Sequence, residues 1–182
     1  MLRNINHVDD LTGAQVVLSE EHHMTHEGFM YHASGKVTGM VDSNVDDFLL
    51  VTPAGNYPHM QRLRFDFGAG DIDVQSYEDV TTSADGSSLS SSIVNTNRDS
   101  ANTPNLTLFS GPTVTDIGTL LHTTWAPPTA TGNGQSANGI SQIEAGEEWI
   151  LKPSTKYLVR ITNNSGATIS YRWELLFYEI GY

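Results

Sequence analysis

Cysteine is absent from this 182-residue chain, which removes disulfides, thiolate metal sites and cysteine nucleophiles together. Positive charge is scarce: 9 Lys and Arg stand against 21 Asp and Glu, a formal net charge of -12. Such a surface repels a phosphate backbone and an anionic bilayer alike, so neither nucleic acid nor membrane is an expected partner. No apolar run approaches the roughly 18 residues that a bilayer span demands. The opening M-L-R-N-I-N-H-V-D-D has no apolar stretch behind its arginine, so the chain reads as a soluble product of the cytoplasm. Charged residues make up only 16% of the chain, while Gly, Ser, Thr and Asn are plentiful, a poor recipe for a helical bundle. The length fits one domain and is cramped for two.

What the sequence does contain is period-two alternation. Leu63, Phe65 and Phe67 share one face of a strand and Arg62, Arg64 and Asp66 the other. Ile72 and Val74 continue the pattern after Gly68-Ala69-Gly70, and together the two segments read as a hairpin. Tyr157, Val159 and Ile161, then Ile169, Tyr171, Trp173, Leu175 and Phe177 beyond Asn163-Asn164-Ser165-Gly166, read as the strongest hairpin of the chain. Further strands are expected at Gly28 to Ala33, Phe48 to Thr52, Leu89 to Asn95, Leu106 to Phe109 and Trp149 to Leu151. About nine short strands at this spacing predict an all-β antiparallel sandwich or barrel. The single domain is placed at residues 25–182, behind an N-terminal arm at 1–24 that is extended or a short helix. Val8 to Glu21 is the one helix candidate, weakened by Gly13 and Val16-Val17. Val80 to Ser88 and Thr123 to Gln142 read as long loops.

Candidate chemistry is thin. His22, His23 and His26 crowd into H-H-x-x-H, which could set His22 and His26 on one helical face, but no Cys and no third carboxylate in register completes a metal site. Metal is therefore not expected, and the histidines read as polar residues of the arm that could tune an interface. Asp42-x-Asn44-x-Asp46 starts like a calcium loop, but Asp47 replaces the required Gly and Pro53 the final Glu, so it reads as an acidic turn. Asp71 with Asp73, Glu147 with Glu148, and Glu174 with Glu179 are explained by strand geometry better than by acid-base pairing, Asp71 and Asp73 lying on the polar face of their strand. No G-x-S-x-G elbow and no phosphate-binding loop occurs. An enzyme is not expected, nor is a cofactor or small-molecule ligand. Among the tryptophans, Trp173 sits in a core register and Trp149 beside an apolar strand. Trp125, next to a proline-rich loop, is the surface candidate for stacking on a sugar ring.

The ordered landmarks H-E-G-F-M-Y-H (His26 to His32), L-L-V-T-P-A-G-N-Y-P-H (Leu49 to His59), N-T-N-R (Asn95 to Arg98), N-T-P-N-L-T-L-F-S-G-P-T-V-T-D-I-G-T-L-L (Asn102 to Leu121), E-W-I-L-K-P-S-T-K-Y-L-V-R-I-T-N (Glu148 to Asn163) and W-E-L-L-F-Y-E (Trp173 to Glu179) resemble a family of tailed-bacteriophage virion proteins, the head decoration or cement proteins. The resemblance spans about residues 20 to 180. It implies a jelly-roll sandwich, a homotrimer, and a place on the outer surface of the phage head, where the protein bridges major capsid subunits and stabilises the capsid. It carries no catalytic residues. Arg98, the only basic residue between Arg64 and Lys152, is expected to pair with an acid of its own or a neighbouring subunit. The competing expectation is a head-fibre or tail-associated module that recognises a glycan through Trp125 and its loop.

Overall fold

A computed structural model describes residues 7–8, 15–16, 19–68, 70–127, 138–143 and 148–181. In chain order the elements are β1 (His7–Val8), β2 (Gln15–Val16), α1 (Glu20–Glu27), β3 (Met30–Met40), β4 (Val45–Val51), β5 (Asn56–Phe67), β6 (Ile72–Glu78), β7 (Thr81–Ala84) and β8 (Ser87–Ser88). A single 3-10 turn at Ser90–Ser92 follows, then β9 (Val94–Asn95), β10 (Thr107–Ser110), β11 (Thr113–Asp116), β12 (Thr119–Ala126), β13 (Asn138–Ile143), β14 (Trp149–Ile150), β15 (Lys156–Asn163) and β16 (Ile169–Gly181).

Eight of these strands build two sheets. One runs β3-β16-β5-β13 and the other β4-β15-β6-β12, with antiparallel pairing throughout. Taken in chain order, the chain changes sheet at every step except between β6 and β12, which pair with each other. That is the strand order of a jelly roll, which the alternation by itself left open between sandwich and barrel. The apolar faces of the two sheets meet in the core. Phe48 of the second sheet lies 5.5 Å from Trp173 of the first, and within the first sheet Phe67 lies 5.4 Å from Tyr171 and Tyr31 5.4 Å from Phe177, ring centre to ring centre. Each such ring withdraws enough apolar surface to contribute about 1.5–3 kcal/mol.

Between β6 and β12 the chain inserts residues 79–118, which wrap the sandwich. β10 extends the second sheet beyond β4, and β9 extends the first beyond β3. The small β7–β11 sheet brings Val114 and Ile117 onto the outer face of the second sheet, over buried Leu49, Val80 and Leu158. On the outer face of the first sheet, Met24 of α1 packs with Met30 and Tyr178. Ser19 caps α1 by accepting from the His22 N–H at 3.3 Å. Gly28 ends the helix at φ 75°, where a Cβ would lie 2.2 Å from the Ser100 Oγ, so glycine is needed there twice over.

Several expectations are corrected. Neither expected hairpin exists: β5 and β6 lie in different sheets, as do β15 and β16. A sandwich core has two apolar walls with the same alternation, so a short turn between two alternating segments serves equally to pair them or to cross between layers. The helix falls on Glu20–Glu27 rather than Val8 to Glu21. It crosses the expected arm boundary at residue 24 and joins the sandwich through Met24. Leu89 to Asn95 holds a 3-10 turn and only a two-residue strand. The expected loop at Val80 to Ser88 contains β7 and β8, and the one at Thr123 to Gln142 gives its ends to β12 and β13, its middle lying outside the described residues. Among the described residues, no helix is long and apolar enough to cross a membrane.

Candidate functional site

Polar anchors converge where α1 meets the insertion. Asn95 donates to the carbonyls of Gly28 at 2.7 Å and Asn102 at 3.1 Å, and its Oδ1 accepts from the Asn97 N–H. Asn97 in turn donates to the His26 carbonyl at 2.9 Å. Beside them Glu179, buried in β16, accepts from the Asn105 N–H, the Asn105 side-chain amide and the Leu106 N–H at 2.6–3.1 Å. Burial, and then the Glu179 charge, push the phenol of Tyr31 up to about 12. Tyr31, Asn102, Asn105 and Glu179 line a polar cleft of about 540 Å³ with Asn56 and the exposed ring of Phe29.

A second cluster occupies the outer face of the first sheet. His59 is buried, stacks on Tyr178 and holds Glu148 Oε1 at 2.9 Å through Nδ1. Tyr178 and Gln61 donate to the same oxygen. Burial raises the Glu148 carboxyl, but the hydrogen bonds from Tyr178 and His59 outweigh it and leave it below the ordinary value.

A concavity of about 640 Å³ lies between β3 and β4. β9 covers β3 only at Tyr31 and His32, and β10 covers β4 only from Phe48 onward, so the sandwich stays open at this edge among the described residues. Phe48, Tyr171 and Trp173 line it with Lys36, Asp46 and Asp47. Gly35 allows the Trp173 ring to lie against the β3 backbone, since a Cβ there would stand 2.7 Å from the ring. The two acids are engaged inside the chain. Asp46 accepts from the Tyr171 hydroxyl at 2.9 Å, and Asp47 takes both arms of Arg160 at 2.9 and 2.7 Å. Burial and the Asp46 charge drive the Tyr171 phenol far above its ordinary range. What remains free to a ligand is an apolar wall with hydroxyls and the Lys36 ammonium on its rim.

The residues singled out from sequence do not form one site. Trp125 is 51% exposed, but it belongs to strand β12 rather than to the loop, with its indole N–H on Asp71 at 3.1 Å. Asp73, its cross-strand neighbour, accepts from Asn164 at 3.0 Å. Arg98 is exposed and donates to the Asn95 carbonyl at 3.2 Å, a backbone partner instead of the expected acid within the chain. His22 and His26 do meet, Nε2 to Nε2 at 2.9 Å, while His23 stands apart from that contact. No group of three or more metal-ligating side chains exists among the described residues. Asp42 and Asp46 diverge, one to the Gly166 N–H and the other to Tyr171.

Strand geometry was the whole of the sequence reading for Glu179, and the structure buries it as an anchor. The signal was available: it continues the 169, 171, 173, 175, 177 register that points into the core. His59 with Glu148 had no such signal, being 89 residues apart. No family model, no curated protein and no solved structure matches the chain.

Proposed function

We propose that the chain is a non-enzymatic decoration protein of a tailed-phage head. In this reading it sits on the outer surface as a homotrimer, bridges major capsid subunits and stabilises the shell. The observation that carries the reading is the convergence of the landmark segments. Asn95, Asn97 and Asn102 hold the 26–28 turn, Glu179 holds Asn105 and Leu106, and Thr52 is hydrogen-bonded to the Lys152 and Thr155 carbonyls. Segments that are one another's hydrogen-bond partners have their order and spacing set by a single tertiary structure. Their resemblance as an ordered set therefore weighs more than any one motif. A jelly roll with an engaged, acidic surface also suits attachment to basic or apolar lattice patches. Stabilisation follows by mass action, because a protein that binds only the assembled lattice lowers its free energy at every occupied site.

A glycan-binding reading is favoured by one observation, the half-exposed Trp125 ring fixed beside Asp71 and Asp73. Mass-calibrated chromatography of the protein, alone and mixed with heads that lack it, separates the two. Decoration predicts a trimer that loads the heads in proportion to the lattice, with Trp125→Ala unaffected. Failure to load heads, with sugar-dependent adsorption lost in Trp125→Ala, replaces it with the glycan reading.

A further inference from the structure

We infer that the exposed face of α1 is a two-histidine chelate for a late transition-metal dication, of the Cu²⁺, Ni²⁺ and Zn²⁺ class. His22 and His26 lie one turn apart, with ring centres 4.6 Å apart and the two Nε2 atoms converging at 2.9 Å. Metal–imidazole bonds of about 2.0–2.1 Å put cis nitrogens roughly 2.9 Å apart at a right angle and 3.3 Å at the tetrahedral angle. The separation of the two nitrogens thus matches that of cis ligands, and an ion bound between them takes the place of their mutual hydrogen bond. Both side chains are exposed, so the remaining positions are open to water. Glu20, Glu21 and Glu27 on the same short helix add negative charge around the pair, and His26 sits in the last turn, where the helix dipole favours a cation.

The scaffold supports such a site. An eight-residue helix is marginal by itself, yet α1 is pinned by the Ser19 cap, by Met24 against Tyr178, and by Asn97 on the His26 carbonyl. An ion bridging residues 22 and 26 clamps one turn of that helix, at the joint between residues 1–18 and the sandwich. Imidazole ligands and the affinity order of divalent ions place Cu²⁺ first, and exclude Mg²⁺ and Ca²⁺, which require oxygen.

The test titrates the full-length protein with Cu²⁺, Zn²⁺ and Mg²⁺ by calorimetry, with hydrogen exchange of the α1 amides in parallel. One ion per chain is expected for Cu²⁺ and Zn²⁺ and none for Mg²⁺, with slower exchange across residues 22–27. Removing one arm of a chelate forfeits its effective concentration, so His22→Ala and His26→Ala each weaken binding by about a hundredfold, while His23→Ala leaves it unchanged. Binding that survives either variant, or that leaves α1 exchange unaltered, overturns the assignment. Circular dichroism of each variant shows that the fold is intact, as expected for exposed side chains.

Discussion

Between the two sheets, Phe48 meets Phe65, Tyr171 and Trp173 ring against ring, and Phe67 and Phe177 complete the apolar wall. The insertion at 79–118 is attached to that body in another way. Its apolar contribution is mainly Val80, Ile93, Leu106 and Leu108, and its position is set by polar contacts. Asn95 sits on Gly28, Asn105 and Leu106 sit on Glu179, and Lys156 grips Asp85 at 2.5 Å with Thr82 beside it. Non-directional burial tolerates small shifts. Hydrogen-bonded anchors do not, so the insertion is placed accurately by few groups and is correspondingly vulnerable at each of them.

The largest expected effect tests the core side of this contrast. Phe177→Ala empties a fully buried position and should cost about 3–5 kcal/mol in urea denaturation, with loss of structure spread over both sheets. An intermediate effect tests the insertion. Glu179→Gln keeps the shape but sets an amide donor among three N–H groups, at a cost of about 1.5–3 kcal/mol. Hydrogen exchange should then rise first at Asn105 to Ser110, and the Tyr31 titration should move down from about 12 as the Glu179 charge disappears. Uniform destabilisation of both sheets would mean that the insertion and the core are one cooperative unit.

The smallest effect is electrostatic. Hydrogen bonding from Lys152 holds the Glu78 carboxyl low, and Lys156 followed by Thr82 does the same for Asp85. Because these folded-state values are depressed, the unfolded chain takes up protons first as the pH falls. The stability they contribute is fully present above the ordinary carboxylate range, that is above about pH 4.5, and is lost as the pH drops through the lowered values. Acid should therefore loosen β7 and β11 before the core. Asp85→Asn should cost less than about 1 kcal/mol, since the pair is partly exposed, and should flatten this acid response in a pH series of thermal melts.

Much of the fold was legible in the alternation. The inward registers of β5, β6, β15 and β16 were read residue by residue, because strand periodicity is local and each inward side chain declares itself by its chemistry. Trp125 was legible as a surface residue for the same reason, standing outside any core register. The helix was misplaced because its eight residues are polar on nearly every side, and only the Ser19 cap, the Gly28 stop and Met24 mark it. The anchors were largely illegible: Asn95, His59 and Glu148 are ordinary polar residues until the partners they meet are known.

By itself, the sequence determined that this protein is built from strands, which side chains of the longest strands face inward, that no cysteine chemistry is available, and that the surface is acidic. Only the tertiary structure decided which strand pairs with which, turning two expected hairpins into crossings between layers. It also decided that Glu179 is an anchor for Asn105 and Leu106. The division has a physical cause. Burial is a property of a residue and its immediate periodicity, whereas anchoring joins residues 67, 73 and 125 positions apart, whose meeting depends on every turn between them.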